Sequence, residues 1–111
     1  MNLKASIRHN PVLFKEICQK HKVYKLYAFG SAITDQFNED SSDIDLLVDV
    51  DIPDPANRGE TLLSLWDKLE AYFKRKVDLL TINSIQNPFL KSNIDRSKEL
   101  IYDGEAEKVF V

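Results

Sequence analysis

Three aspartates are spaced in a way that suits metal chemistry. Asp43 and Asp45 stand two apart in DIDLLV, and Asp78 sits inside KVDLL at 76–80. Side chains alternate across a β-strand. Ile44, Leu46 and Val48 therefore share one face, and Asp43 and Asp45 share the other. Two carboxylates held side by side raise one another's pKa, and no basic residue follows them in the strand. A divalent cation is the simplest resolution. Hard metals select carboxylate oxygens, and magnesium is normally held by one or two carboxylates plus substrate phosphates. Val77 and Leu79 flank Asp78, so Asp78 points away from the core of its own strand. If the two strands are neighbours, three carboxylates converge. Two ions about 3.5–4 Å apart could then clamp the attacking and leaving oxygens of an in-line displacement. Asp78 could also take the proton from an incoming hydroxyl. The plainer alternative is that Asp-x-Asp is common on strands, and that a lone charge often protects a sheet edge.

A second piece lies upstream, in FGS at 29–31. Glycine directly after a strand lets the backbone approach a phosphate closely, and Ser31 adds a hydroxyl and an amide donor. Without the aspartates this would read as an ordinary strand-ending turn.

These residues need strands to position them, and the hydropathy pattern supplies candidates. VYKLYAF at 23–29, DIDLLVDV at 43–50 and KVDLLTI at 76–82 read as strands. Residues 11–21 read as a helix with Asn10 at the N-cap and Pro11 at the first position. Leu13, Phe14, Ile17 and Cys18 fall on its inner face. A longer helix runs from about 57 to 74, with Leu62, Leu65, Trp66, Leu69 and Phe73 as its apolar stripe. A short helix around 88–94 and an apolar patch, ELIY at 99–102, follow. The fold class is α+β, a small mixed β-sheet with helices mainly on one face and the other face open to a ligand.

Composition narrows the function. At 111 residues the chain reads as a single domain over 1–111. Its 43% hydrophobic and 30% charged residues are ordinary for a soluble chain, and a net charge of −3 argues against a broad electrostatic grip on nucleic acid. One cysteine, Cys18, excludes an internal disulfide or a multi-cysteine zinc site. No apolar run approaches the roughly 20 residues of a membrane span, and no signal-peptide core is visible, so a cytoplasmic location is expected. Three scattered glycines rule out the usual glycine-rich phosphate loops.

Other features invite plainer readings. His9 reads as a surface residue and His21 as a cation at a helix end. Asp49, Asp51 and Asp54 read as a solvated strand end. Lys74, Arg75 and Lys76 complement a helix dipole, or else touch a triphosphate or an RNA held by a partner. Trp66 and Phe73 read as core. Tyr24, Tyr27, Phe110 and Val111 could form a partner surface.

Taken together, FGS, eleven residues, then DIDLLV resembles the signature of the DNA polymerase β-like nucleotidyltransferase superfamily. The chain is similar in particular to the minimal nucleotidyltransferase (MNT) group, from the strand at 23 to IYDG at 101–104. The resemblance implies that Gly30 and Ser31 contact the triphosphate of ATP or another nucleotide. It implies that Asp43 and Asp45 bind two magnesium ions, with manganese as an alternative, and that Asp78 binds the catalytic ion and helps activate the acceptor. It further implies an antitoxin that works with a helical HEPN-type toxin and transfers AMP to a tyrosine of it, forming an oligomer with that partner. Two alternatives are an idle antitoxin acting by binding alone and an enzyme acting on a small-molecule hydroxyl. The sequence departs from the group in one place. After Gly30-Ser31 many members carry an Arg-Ala-Arg-Gly-like run, where this chain has Ala32, Ile33, Thr34 and Asp35. A missing arginine removes a bidentate phosphate or partner contact.

Overall fold

The structure, a computed structural model, describes residues 3–30 and 43–111. Its elements in chain order are α1 (Leu3–His9), α2 (Pro11–Lys20), β1 (Val23–Phe29), β2 (Ile44–Val50), α3 (Pro55–Phe73), β3 (Val77–Thr81), α4 (Pro88–Ser97), β4 (Glu99–Asp103) and β5 (Lys108–Val109). A short 3₁₀ turn, Ile82–Ser84, follows β3.

Each longer helix begins with the same local chemistry. Asn10, Asp54 and Asn87 stand at the N-caps of α2, α3 and α4, each followed by proline. Their side-chain oxygens accept from backbone N–H groups of the first turn, which would otherwise lack partners. α3 stops at Lys74, which adopts the left-handed conformation that closes helices. α1 was not expected from the sequence, nor were β4 and β5 as paired strands.

The strands form one mixed sheet in the order β3-β2-β1-β4-β5. β2 and β3 are parallel, with α3 as the crossover between them, and every other pair is antiparallel. Ile44, Leu46 and Val48 face the helices, as their alternation requires, and all three are buried. They join Leu26 and Ala28 of β1, Phe14 and Cys18 of α2, Leu65 and Leu69 of α3, and Leu3 and Ile7 of α1 in one core. The opposite face is less bare than expected. Leu47 lies on it by alternation and is only 2% exposed, and Ile94 of α4 is also buried outside the main core. The end where β1 stops and β2 and β3 begin is also where α4 leads into β4, since Ala28 pairs with Glu99.

Several side chains differ from their sequence reading. Trp66 is 38% exposed, because its indole leans over β3 and donates Nε1–H to the Val77 carbonyl at 2.6 Å. Leu13 is likewise exposed at the rim of the α2 stripe. His21 does stand at the end of α2, but it is buried rather than solvated. Its Nδ1–H donates to the Ile17 carbonyl at 2.7 Å, and its Nε2 lies 2.9 Å from the Ser64 hydroxyl, tying α2 to α3.

β3 is an edge strand, and its outward peptide groups are largely used. The Val77 N–H donates to Glu70 and the Val77 carbonyl accepts from Trp66. At the other end the Thr81 N–H and carbonyl both bond the Ser84 hydroxyl. Among the described residues no helix is long and apolar enough to cross a membrane.

Burial also fixes the reactivity of the lone cysteine. Desolvation pushes the Cys18 thiol up to about 12, so almost no thiolate exists near neutrality. At pH 8 the native protein is expected to resist a thiol-specific disulfide reagent. Labelling should reach one equivalent only in denaturant, and fast labelling of the native protein would contradict the packing around α2.

Candidate active site

β1 and β2 run antiparallel, so the end of β1 meets the start of β2, and Phe29 pairs with Asp45. β3 runs parallel to β2 in a register that sets Asp45 directly beside Asp78. Asp43 lies just before β2, one alternation below Asp45 on the same face, with its side chain 42% exposed. All three aspartates thus come from the same end and the same face of the sheet.

Gly30 closes the fourth side. Its φ of +67° lies in the left-handed region that favours glycine. A Cβ there would stand 2.6 Å from Asp45 Oδ2, so the backbone leaving β1 lies against that carboxylate. Ser31 and the departure at Ala32–Asp35 lie outside the described residues.

The electrostatics match the geometry. Asp45 titrates above the ordinary carboxylate range, first because it is partly buried, then because Asp78 and Asp43 stand beside it. Its side chain is also within hydrogen-bonding reach of Asp78. Lys76, at the foot of β3, lies 3.9 Å from Asp43 Oδ2 with its own side chain 70% exposed. No basic residue lies within the strand of Asp43 and Asp45. The base comes instead from the neighbouring strand, and only the register reveals it.

The donor set fits a hard divalent cation. It consists of carboxylate oxygens, one of them held in a state that disfavours its charge until a cation arrives. Among the described residues no three acidic, histidine or cysteine side chains form a ready-made metal cage. Magnesium does not require one, since phosphate oxygens and water commonly complete its octahedron.

The remaining acidic residues of this region have structural places. Asp54 caps α3, accepting from the Asn57 N–H at 3.0 Å. Asp49 pairs across the sheet with Lys25, and Asp51 continues the far end of β2.

Residues 14–107 match the family model described as Polymerase beta, Nucleotidyltransferase. The chain belongs to that family. It is a nucleotidyltransferase, with the mixed α+β sheet of the polymerase β-like fold. Curated relatives come from Methanocaldococcus jannaschii. One, named Putative protein adenylyltransferase MJ0126, is 39% identical over 79% of this nucleotidyltransferase and 84% of its own length. Another of the same name, MJ1217, is 36% identical over 90% and 93% respectively. Among solved structures, a toxin–antitoxin with AMP-PNP aligns with a TM-score of 0.58 at 24% identity, covering 88% of this chain and 80% of that one. A complex of tri-AMPylated Shewanella oneidensis HEPN toxin with MNT antitoxin aligns at 0.55 and 22% identity, covering 90% and 75%.

Proposed function

We propose that this nucleotidyltransferase moves AMP from ATP onto a protein hydroxyl, a tyrosine of a HEPN-type toxin, and so acts as that toxin's antitoxin. The observation that carries the reading is the pairing of Asp45 with Asp78, with Asp43 on the same face and Gly30 against the Asp45 carboxylate. The relatives' names speak of protein adenylyltransferases, and structural neighbours include an AMP-PNP complex and an AMPylated HEPN toxin. Both agree with AMP as the transferred group and with a protein as the acceptor; the tyrosine is this reading's own choice.

In this reading Asp43, Asp45 and Asp78 hold magnesium, and Gly30 and Ser31 contact the triphosphate. When bound, the ions neutralise charge on the phosphoryl oxygens and on the leaving pyrophosphate. Asp78 accepts the proton of the incoming tyrosine hydroxyl, whose oxygen forms the new bond to the α-phosphorus as the bond to pyrophosphate breaks. Gly30 keeps the strand exit close to the phosphates, and Asp45 is held in place by its neighbours across the sheet. A cytoplasmic location and a stable complex with the toxin belong to the same proposal.

The test is incubation with ATP labelled at the α-phosphate and magnesium, with and without a purified HEPN-type partner. Label is expected on the partner, and it should vanish with an Asp43→Ala, Asp45→Ala double variant. Absence of label despite tight complex formation would replace this reading with an antitoxin that acts by binding alone. That second reading draws on Ala32–Asp35, where both arginines of the related run are missing.

A further inference from the structure

The stretch joining β1 to β2, residues 31–42, contains no lysine or arginine but does contain Asp35, Glu39 and Asp40. In many members of the resembling group an arginine-bearing run follows the Gly-Ser pair. A triphosphate set among three aspartates leaves an excess of negative charge even with two divalent ions present, which a side-chain cation from another element would offset.

The register supplies one. Ile44 pairs with Val77, and the Ile44 N–H donates to the Lys76 carbonyl at 3.0 Å, which sets Lys76 level with Asp43. Alternation puts Lys76 on the face of Asp78, the face that also carries Asp43 and Asp45. The Nζ–Oδ2 separation of 3.9 Å is at the long end for an ion pair, and the lysine side chain is 70% exposed. Such a pair is weak and gives up its partner easily. A purely helix-capping role fits poorly, because α3 ends at Phe73 and closes at Lys74, two residues earlier.

We infer that Lys76 is a phosphate-positioning residue. It neutralises Asp43 while the site is free of nucleotide, and it passes to a phosphate oxygen of the nucleoside triphosphate when a divalent ion takes the carboxylate. This rests on the proposed nucleotidyl transfer and names the cation that replaces the missing arginines.

The inference predicts effects of opposite sign from one substitution. In Lys76→Ala, Mn²⁺ binding without nucleotide should tighten about threefold, because a competing cation is gone. Binding of magnesium-loaded AMP-PNP to the same variant should weaken about tenfold, through loss of a charge-assisted bond to phosphate. Lys76→Arg should restore nucleotide binding. Calorimetric titration of the full chain reads both quantities without relying on turnover. Unchanged nucleotide affinity in Lys76→Ala, or two shifts of the same sign, would overturn the role of Lys76 alone. A native chain that binds neither Mn²⁺ nor AMP-PNP would overturn the proposed site together with it.

Discussion

Replacing Asp45 by asparagine is expected to abolish nucleotidyl transfer and, in the metal-free protein, to raise stability. Activity should fall by about a thousandfold or more, the scale expected when a group that stabilises charge in the transition state is removed. Stability moves the other way because the wild-type carboxylate is partly buried beside Asp78 and Asp43. Asparagine keeps the shape and removes the repulsion. The group is also substantially solvated, so the gain is about 0.5 kcal/mol, or a melting temperature higher by about 2–3 °C.

The pH dependence follows from the direction of the shift. Native Asp45 keeps its proton to higher pH than the unfolded chain does, so wild-type stability falls as pH rises from the ordinary carboxylate range through the raised native value. Below that range the two proteins should melt alike, and above it they should differ by the full amount. Added Mg²⁺ should reverse the order, because the wild type, with all three carboxylates, gains more than the variant from an ion that binds the native state. Thermal melts of both proteins against pH, with EDTA or with Mg²⁺, read all of this. A wild type that melts higher than the variant in EDTA at neutral pH would refute the strained-carboxylate account.

The second large effect separates two glycines that look alike in the sequence. At Gly104 an added Cβ would meet the Val23 carbonyl at 2.2 Å and the Tyr24 carbonyl at 2.9 Å, both backbone atoms that cannot rotate away. The Gly104 N–H also donates to the Tyr24 carbonyl at 2.7 Å, locking the turn after β4 onto β1. Gly104→Ala should therefore cost about 3 kcal/mol and lower the melting temperature by about 10 °C or more. Folded molecules of that variant should keep normal transfer, because the turn lies at the far end of the sheet. At Gly30 the obstacle is the Asp45 carboxylate, which can swing aside but only by leaving its place beside Asp78. Gly30→Ala should cost only about 1 kcal/mol for its left-handed backbone. Transfer should nonetheless drop about a hundredfold, the penalty for a displaced reacting group. Melts and label transfer on both variants would show the two losses crossing over, and equal activity losses per folded molecule would defeat the distinction.

The sequence made the parts of the fold with strong local periodicity legible. DIDLLV announces both its buried face and its acidic face, and Asn10 with Pro11 marks where α2 starts. Asp54 instead reads as a solvated strand end, and only the structure shows it capping α3, which begins two residues before the start the pattern gives. What stayed hidden depends on contacts between distant residues. LKASIRH offers one apolar pair, Leu3 and Ile7, too little for a helix by itself, and α1 owes its place to burial in the core. β4 and β5 exist through pairing with β1 and with each other across the Gly104 turn. Trp66 carries the spacing of a core residue, yet its indole N–H found a carbonyl at the sheet edge. Among the site residues, the alternation of Asp43, Asp45 and Asp78 could be read directly. Their shared face, and the approach of Lys76, depend on which strand lies beside which and in what register.

That same indole has a consequence for how these molecules can associate. With Trp66 and Glu70 occupying the Val77 peptide and Ser84 occupying that of Thr81, the outer border of β3 offers an incoming strand little more than the peptide groups of Leu79. One open rung cannot template a ladder, so copies of this chain have no route to fibrous stacking along that border. Any neighbour that settles there must be recognised by the shape and greasiness of Leu63 and Trp66 rather than by main-chain zippering.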